Sequence, residues 1–334
     1  MTTTVPERLV VRAPNWLGDL VMALPALGMI RRAYPEAELT IAAPLPCAPV
    51  FEQHTAVGSV DVIAPDMATG EEFDTILLLT NSFGSAWRAR RAGIKERWGY
   101  AAAGRSWLLT RAVPRPSGRV HQVDYYRVLA RELGMAGTGE RPWIEPGARA
   151  EERAAAFLAA AGLEGRRLVG FAPGAAYGHA KRWPPRYVAE TVARLAVEHA
   201  VTCVLVGASG DVEAGREIES ALGSRRLAPG RLVNVIGHTD LWLLIGLLAR
   251  CETFVTNDSG AMHLAAALGT HVVATFGPTD ERETAPSGAR VEVLTAGVFC
   301  RPCKLRDCPI DHRCMKRITP ARVLDAVLST RPPA

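Results

Sequence analysis

The sequence predicts an α/β chain made of two doubly wound parallel-sheet halves. Three observations predict it. Short, continuously apolar runs such as RLVVRAP (8–14) and FDTILLLTN (73–81) alternate with longer runs of helical spacing, the pattern of strands buried on both faces by helices. The alternation breaks once, at GMAGTGERPWIEPGARAE (134–151), a Gly- and Pro-rich stretch with little periodicity. The chain has 334 residues, 48% hydrophobic and 22% charged, which suits two cores better than one. The expected domains are 1–145 and 146–334.

Each element has its own signal. In the first half, 8–14 reads as a buried strand and GDLVMALPALGMIRRAY (18–34) as a helix. ELTIAAP (38–44), DVIAP (61–65) and 73–81 read as further strands. VDYYRVLARELG (123–134) is a helix closed by Gly134. In the second half, strand RLVGFAP (167–173) leads into helix 186–199, strand 201–207, helix 211–222 and strand 232–237. Helix 240–250, strand 253–256, helix 260–268 and strand 272–277 follow, and a last helix near 320–329 can pack on either half. Open sheets of this kind take ligands beyond the C-terminal ends of their strands, so a cleft between the halves is the expected site.

Composition narrows the classes. The apolar run LWLLIGLLA (241–249) is far too short to span a bilayer. The N-terminus lacks the basic and apolar regions of a signal peptide, so a cytoplasmic chain with reduced cysteines is expected. The net charge is +5, and nine basic residues fall between Trp87 and Arg119: Arg88, Arg90, Arg91, Lys95, Arg97, Arg105, Arg111, Arg115 and Arg119. Trp87, Trp98, Tyr100 and Trp107 are interleaved with them. This stretch is either a solvated surface of an Arg-rich chain or a face for a large anionic partner, nucleic acid or lipid headgroup.

Four strand-to-helix seams carry polar residues. In RAPNWLGDLVMALPAL (12–27), Gly18 permits a tight turn and Asp19 enters the helix, either as a dipole-favoured N-terminal carboxylate or as a carboxylate able to accept a proton. In FAPGAAYGHAKRWPPRYV (171–188), Lys181 is one of only four lysines. It is either a surface charge or a compact ammonium for a phosphate oxygen. VLVGASGDVEAGREI (204–218) is a weaker strand–Gly–helix junction in which Asp211 reads as a cap. It is not GxGxxG, which argues against a dinucleotide-dependent dehydrogenase. In TFVTNDSGAMHLAAALG (253–269), Gly260 opens the helix N-terminus to an anion. Asp258 beside it would repel bare phosphate unless it met hydroxyls or a cation such as Lys181. A ligand with phosphate and polyol parts fits: a nucleotide sugar.

These stretches together resemble a family. NWLGDLVMALPAL, PGAAYGHAKRWPP, NDSGAMHLAAALGTHVVATFGPTD and CRPCKLRDCPIDHRCM are similar to the ADP-heptose:lipopolysaccharide heptosyltransferases of glycosyltransferase family 9, over roughly 8–328. The resemblance implies the GT-B fold, with two Rossmann-like domains facing a cleft: an acceptor domain over 1–145 and an ADP-heptose domain over 146–334. It implies inverting transfer of L-glycero-D-manno-heptose, without a metal or other cofactor, to a hydroxyl of the first inner-core heptose. Asp19 would be the general base, next to Gly18. Lys181 would stabilise the departing diphosphate, and Gly174 and Ala175 would sit in the donor loop. Asp258 would hold heptose hydroxyls. Gly260, Ala261 and Met262 would offer backbone N–H groups to the phosphates, with His263 close by, and Ser259 beside them would be a further substrate-binding residue. The sequence departs from the family pattern at Tyr177 and Ala261, and the helix at 240–250 lacks an acidic partner for the adenosine ribose.

The implied acceptor, a heptosylated Kdo–lipid A, is strongly anionic. That gives the 87–119 segment a partner and makes nucleic acid unnecessary. The expected location is cytoplasmic, with peripheral contact at the inner leaflet of the inner membrane. Acceptor choice lies in loops of the first half, so other core acceptors stay open. A non-catalytic nucleotide-sugar-binding homologue is the reading from another class, and the joint presence of Asp19 and Lys181 argues against it. Cys300, Cys303, Cys308 and Cys314, with His312, have a spacing that suits zinc. The resemblance brings no metal requirement, and no metal site is expected.

Overall fold

The computed structural model describes residues 5–137, 140–176, 178–223 and 227–329. The chain divides into two compact units, Met1–Glu145 and Pro146–Ala334, and the division falls inside the Gly- and Pro-rich stretch.

The first unit runs β1 (Arg8–Arg12), α1 (Leu17–Ala33), β2 (Glu38–Ala42), β3 (Asp61–Ile63), β4 (Thr75–Leu78), α2 (Phe83–Arg91), β5 (Glu96–Tyr100), β6 (Arg111–Val113) and α3 (Gln122–Glu132). Its strands form one parallel six-stranded sheet in the order β3-β2-β1-β4-β5-β6. β1 is central, and four of its five residues are buried, so its side chains read as one apolar run rather than an alternation.

The second unit runs α4 (Ala148–Ala160), β7 (Leu168–Ala172), α5 (Pro185–Glu198), β8 (Thr202–Leu205), α6 (Val212–Leu222), β9 (Leu232–Asn234), α7 (Leu241–Arg250) and β10 (Thr253–Asn257). It continues through α8 (Gly260–Ala267), β11 (His271–Phe276), α9 (Glu281–Thr284), β12 (Val291–Thr295), α10 (Arg313–Lys316) and α11 (Pro320–Leu328). The sheet order is β12-β11-β10-β7-β8-β9. Counted from its own first strand and read from the other edge, it repeats the order of the first sheet. Three of the four edge strands, β3, β6 and β9, are three residues long, and β12 is five.

In each sheet the order reverses beside the first strand: between β1 and β4 in one unit, between β7 and β10 in the other. Connections leave the two strands in opposite directions there and open a crevice at their C-terminal ends. The loops that matter are therefore those after β1, β4, β7 and β10.

Several elements differ from the sequence reading. α2, α4, β5, β6 and β12 were not expected. The 87–119 stretch is not one surface: Trp98, Tyr100 and Arg105 are buried, whereas Trp87 and Trp107 are exposed. Arg97 also turns inward, donating to the carbonyls of Leu108, Ile94 and Lys95 at 2.6–2.7 Å. Charge made the stretch look solvated, but a guanidinium can enter a fold when backbone carbonyls take its protons. The last helix, α11, packs on α5 and on β10 and β11 of the second unit, with Val323, Leu324 and Val327 in that core. No helix among the described residues is long and apolar enough to cross a membrane.

Candidate functional site

At the β7/β10 crevice, β10 ends in Asn257, whose side chain is 2% exposed. Its amide nitrogen donates to the carbonyls of Pro173 and Gly174 at 2.8 and 3.1 Å. Its amide oxygen accepts from the Trp183 backbone at 3.0 Å and from Thr275 Oγ1 at 3.0 Å. One side chain thus ties both ends of the 173–183 loop to the sheet. A Cβ at Gly174 would collide with the Asp211 carboxylate, so glycine here lets Asp211 keep its place. Asp211 itself accepts from the Ala208 N–H at 3.1 Å, closing its own turn.

The loop carries Lys181, at the end of a 3-10 turn His179–Lys181. Lys181 Nζ donates to Asp258 Oδ2 at 2.6 Å, with side-chain exposures of 13% and 8%. Two residues 77 positions apart are therefore joined in a short, mostly buried ion pair. Such a pair gains little net stability, because desolvation offsets the attraction. It does hold a cation and a carboxylate side by side where a ligand with both phosphate and hydroxyl groups could use each.

Asp258 is followed by Ser259, the N-cap of α8, whose Oγ accepts from the Met262 N–H at 3.3 Å. Ser259 Oγ also contacts Thr256 Oγ1 at 3.0 Å. The sequence reading offered the Met262 N–H to phosphate. In the structure the cap takes it, and Met262 is fully buried. Gly260 and Ala261 are partly exposed at the head of the helix, where N–H groups and the helix dipole favour an anion. His263 lies buried one turn in. Ala175 is partly exposed just after Gly174, and Tyr177 lies outside the described residues.

At the β1/β4 crevice, Gly18 is buried and Asp19 is partly exposed in the first turn of α1. Tyr126, on α3, is 3% exposed. Its phenol is pushed well above the usual range, first by burial and then by the negative charge of Asp19. This neighbour was not singled out from sequence. Nor were Thr80 and Asn81, just past β4, whose Oγ1 and Oδ1 are buried without a partner among the described residues. Asn81 Nδ2 donates to the Tyr125 hydroxyl at 2.9 Å. Orphaned polar atoms at a sheet's crevice are a signal only the fold reveals, since polar residues after a strand are otherwise ordinary loop residues.

The cysteines are free thiols: Cys314 is buried, Cys300 and Cys308 are partly buried and Cys303 is exposed. Burial pushes the Cys314 thiol up, with the other three cysteines contributing. Among the described residues no three His, Cys, Asp or Glu side chains converge as metal ligands do.

Comparison with known proteins points to one family. The family profile described as glycosyltransferase family 9 (heptosyltransferase) matches residues 68–313. Lipopolysaccharide heptosyltransferase 2 of Escherichia coli is 30% identical over 342 residues, covering 95% of this chain and 97% of that protein. Lipooligosaccharide heptosyltransferase 2 of Haemophilus influenzae is 29% identical, covering 86% and 88%. The solved structure of the E. coli ADP-heptose LPS heptosyltransferase II superposes with a TM-score of 0.81 at 29% identity, covering 97% of this chain and 98% of that one. An E. coli heptosyltransferase solved with ADP shares the fold at a TM-score of 0.71 and 18% identity.

Proposed function

The chain belongs to glycosyltransferase family 9, with the GT-B fold, and from that membership we propose that it moves L-glycero-D-manno-heptose from ADP-heptose to the first heptose of a lipopolysaccharide inner core. The observation that carries this reading is the Lys181–Asp258 pair, 2.6 Å apart, next to the capped N-terminus of α8. It supplies a cation and N–H groups for a diphosphate, and a carboxylate for sugar hydroxyls.

In the proposed reaction the acceptor hydroxyl oxygen attacks the anomeric carbon from the face opposite the diphosphate. A new glycosidic bond forms and the bond from the anomeric carbon to the phosphate oxygen breaks, inverting the centre. The hydroxyl proton passes to Asp19, and ADP leaves with the bonding electron pair. Lys181 and the head of α8 hold the charge that develops on the diphosphate; such preorganised groups stabilise the transition state more than the ground state. Asp258 holds the heptose hydroxyls. Gly174 and Ala175 line the donor loop that Asn257 anchors. The first unit serves the acceptor and the second serves the donor.

The acceptor class also gives a role to the exposed aromatics of the first unit. Phe83, Trp87 and Trp107 are 42%, 41% and 60% exposed, and their ring centroids lie 6.3–6.4 Å apart. Arg90 stacks over Trp107 at 5.8 Å. Aromatic rings with adjacent guanidiniums suit the headgroup level of an anionic bilayer. We assign this patch to peripheral contact with the inner leaflet, where a cytoplasmic enzyme meets a lipid-anchored acceptor.

The deciding experiment is ADP release from ADP-heptose with and without a mono-heptosylated Kdo–lipid A acceptor. Wild type should release ADP only with acceptor, and Asp19→Asn should lose about 10²–10⁴-fold in kcat, the usual contribution of a positioned base. Release at the wild-type rate in Asp19→Asn removes the base assignment. Tight ADP-heptose binding with no acceptor-dependent release points instead to a binding protein or another acceptor.

A further inference from the structure

The first unit holds a charged cavity at the edge of the exposed aromatic patch, sharing only Trp87 with it. Its volume is about 310 Å³, and its walls include Arg12, Asp66, Arg88 and Arg91 beside the apolar Ile76 and Leu78. That size lies at the small end of ligand pockets, which run from about 300 to 1,000 Å³.

Arg12 is the telling residue. It closes β1 and is only 6% exposed. Its Nη1 donates to the Ala13 carbonyl and its Nη2 to Asn15 Oδ1 at 2.6 Å. Its Nε is buried with no partner among the described residues. No carboxylate there pairs with it directly. Asp66 favours its charged form through space, but Asp66 Oδ1 is already held by Arg88 Nε at 2.8 Å. Burial and the Arg88 charge both pull the Arg12 pKa down. The cavity thus sets three guanidiniums, Arg12, Arg88 and Arg91, against one carboxylate. A buried cation without a counter-charge is costly, and a planar guanidinium with an unused N–H is suited to a carboxylate or phosphate oxygen.

The position fits a substrate. Arg12 and Leu78 end the two strands that flank the crevice of this sheet. Arg12 also holds Ala13 and Asn15, and the same loop runs on to Gly18 and Asp19.

We propose that this cavity binds an oxyanionic group, a carboxylate or a phosphate monoester, carried by the acceptor saccharide. The proposal rests on the transferase reading given above. An anion seated on Arg12 anchors the acceptor through the loop that presents the proposed base, so acceptors lacking that group bind poorly.

The test uses the deacylated acceptor oligosaccharide, so that lipid affinity plays no part, with full-length wild type, Arg12→Met and Arg91→Gln. Arg91 is exposed, which keeps the test valid if Arg12→Met misfolds. The expected result is a tenfold or larger rise in acceptor KM in the variants, with the ADP-heptose KM unchanged. Phosphatase-treated and carboxyl-methylated acceptors separate the two sources: one of them should show the same rise with wild type and no further rise with the variants. Acceptor KM values within twofold of wild type overturn the proposal, as does an undiminished variant effect on both treated acceptors. If wild type transfers to none of these acceptors, the acceptor assigned above falls and inorganic phosphate becomes the probe. A phosphate-induced rise in Tm that both variants abolish then supports the cavity as an anion site, and an equal rise in all three proteins overturns it.

Discussion

Both hydrogens and both lone pairs of the Asn257 amide are engaged, and all four partners lie on other segments: the Pro173 and Gly174 carbonyls, the Trp183 N–H and the Thr275 hydroxyl. Replacing it by Ala leaves buried backbone groups without partners, at about 1–3 kcal/mol each. Asn257→Ala should therefore lower Tm by about 6–12 °C, taking ~3 kcal/mol for the three backbone groups, the low end of that range, at 2–4 °C per kcal/mol for a unit of this size. It should also raise the KM for ADP-heptose, because the loop bearing Gly174 and Lys181 loses its tether. Differential scanning fluorimetry and donor titration check both, and an unchanged donor KM would separate the tether from the site. The sequence made Asp258 and Lys181 conspicuous through charge at a seam and through the rarity of lysine. Asn257, beside them, was silent, because its role depends on partners up to 84 positions away. Arg12 was silent for the same reason: at the end of an apolar strand it looks like any strand-terminal charge.

Elements with strong apolar spacing, α1, α5 and α7, were legible within a residue or two. α4 was not, because its buried face consists of Ala150, Ala154 and Leu158. Alanine carries little hydrophobic signal but lets helices approach closely, as α4 does on α7 at Gly246, where a Cβ would run into the Ala150 carbonyl. β5 and β6 were hidden by ERWGY and RAV, in which arginine interrupts the apolar run. The sheet accommodates Arg111 all the same: it lies 4.7 Å over the Trp98 ring and donates to the Leu133 carbonyl at 2.8 Å. α2, by contrast, turns Ser85, Ala86 and Ala89 inward and leaves Phe83 and Trp87 outside. A double substitution, Trp87→Ala with Trp107→Ala, should reduce binding to phosphatidylglycerol vesicles several-fold while leaving binding to phosphatidylcholine vesicles weak and unchanged. Cosedimentation reads this directly; equal binding of wild type and variant to anionic vesicles would remove the patch from any membrane role.

At the scale of the whole molecule, one fold plan is used twice with different sequences, and each copy keeps its polar residues at the crevice beside its first strand. Elsewhere the sheets bury titratable groups that serve only the fold. His271, 2% exposed at the start of β11, meets Thr253 Oγ1 at 3.2 Å, and burial, aided by the Arg290 charge, holds its pKa below the ordinary value. The unfolded chain then binds a proton more readily than the folded one below about pH 6.5. His271 contributes full stability above that pH, and the contribution falls as pH drops from there toward the depressed folded value. Tm measured from pH 7.5 to 5 should decline, and the decline should be shallower in His271→Asn. Parallel Tm curves for the two proteins would assign the acid sensitivity elsewhere.

The short edge strands have a consequence for life at high concentration. A sheet margin offers unpaired N–H and C=O groups to any extended segment that drifts alongside, which is how ordered proteins come to seed fibrils. β3, β6 and β9 each end after three residues, so a passing strand finds too few rungs to add itself to the ladder. β12 is longer but carries Glu292 at its second position, a charge that discourages stacking. Both sheets are thus protected against growing sideways into neighbouring copies of the chain.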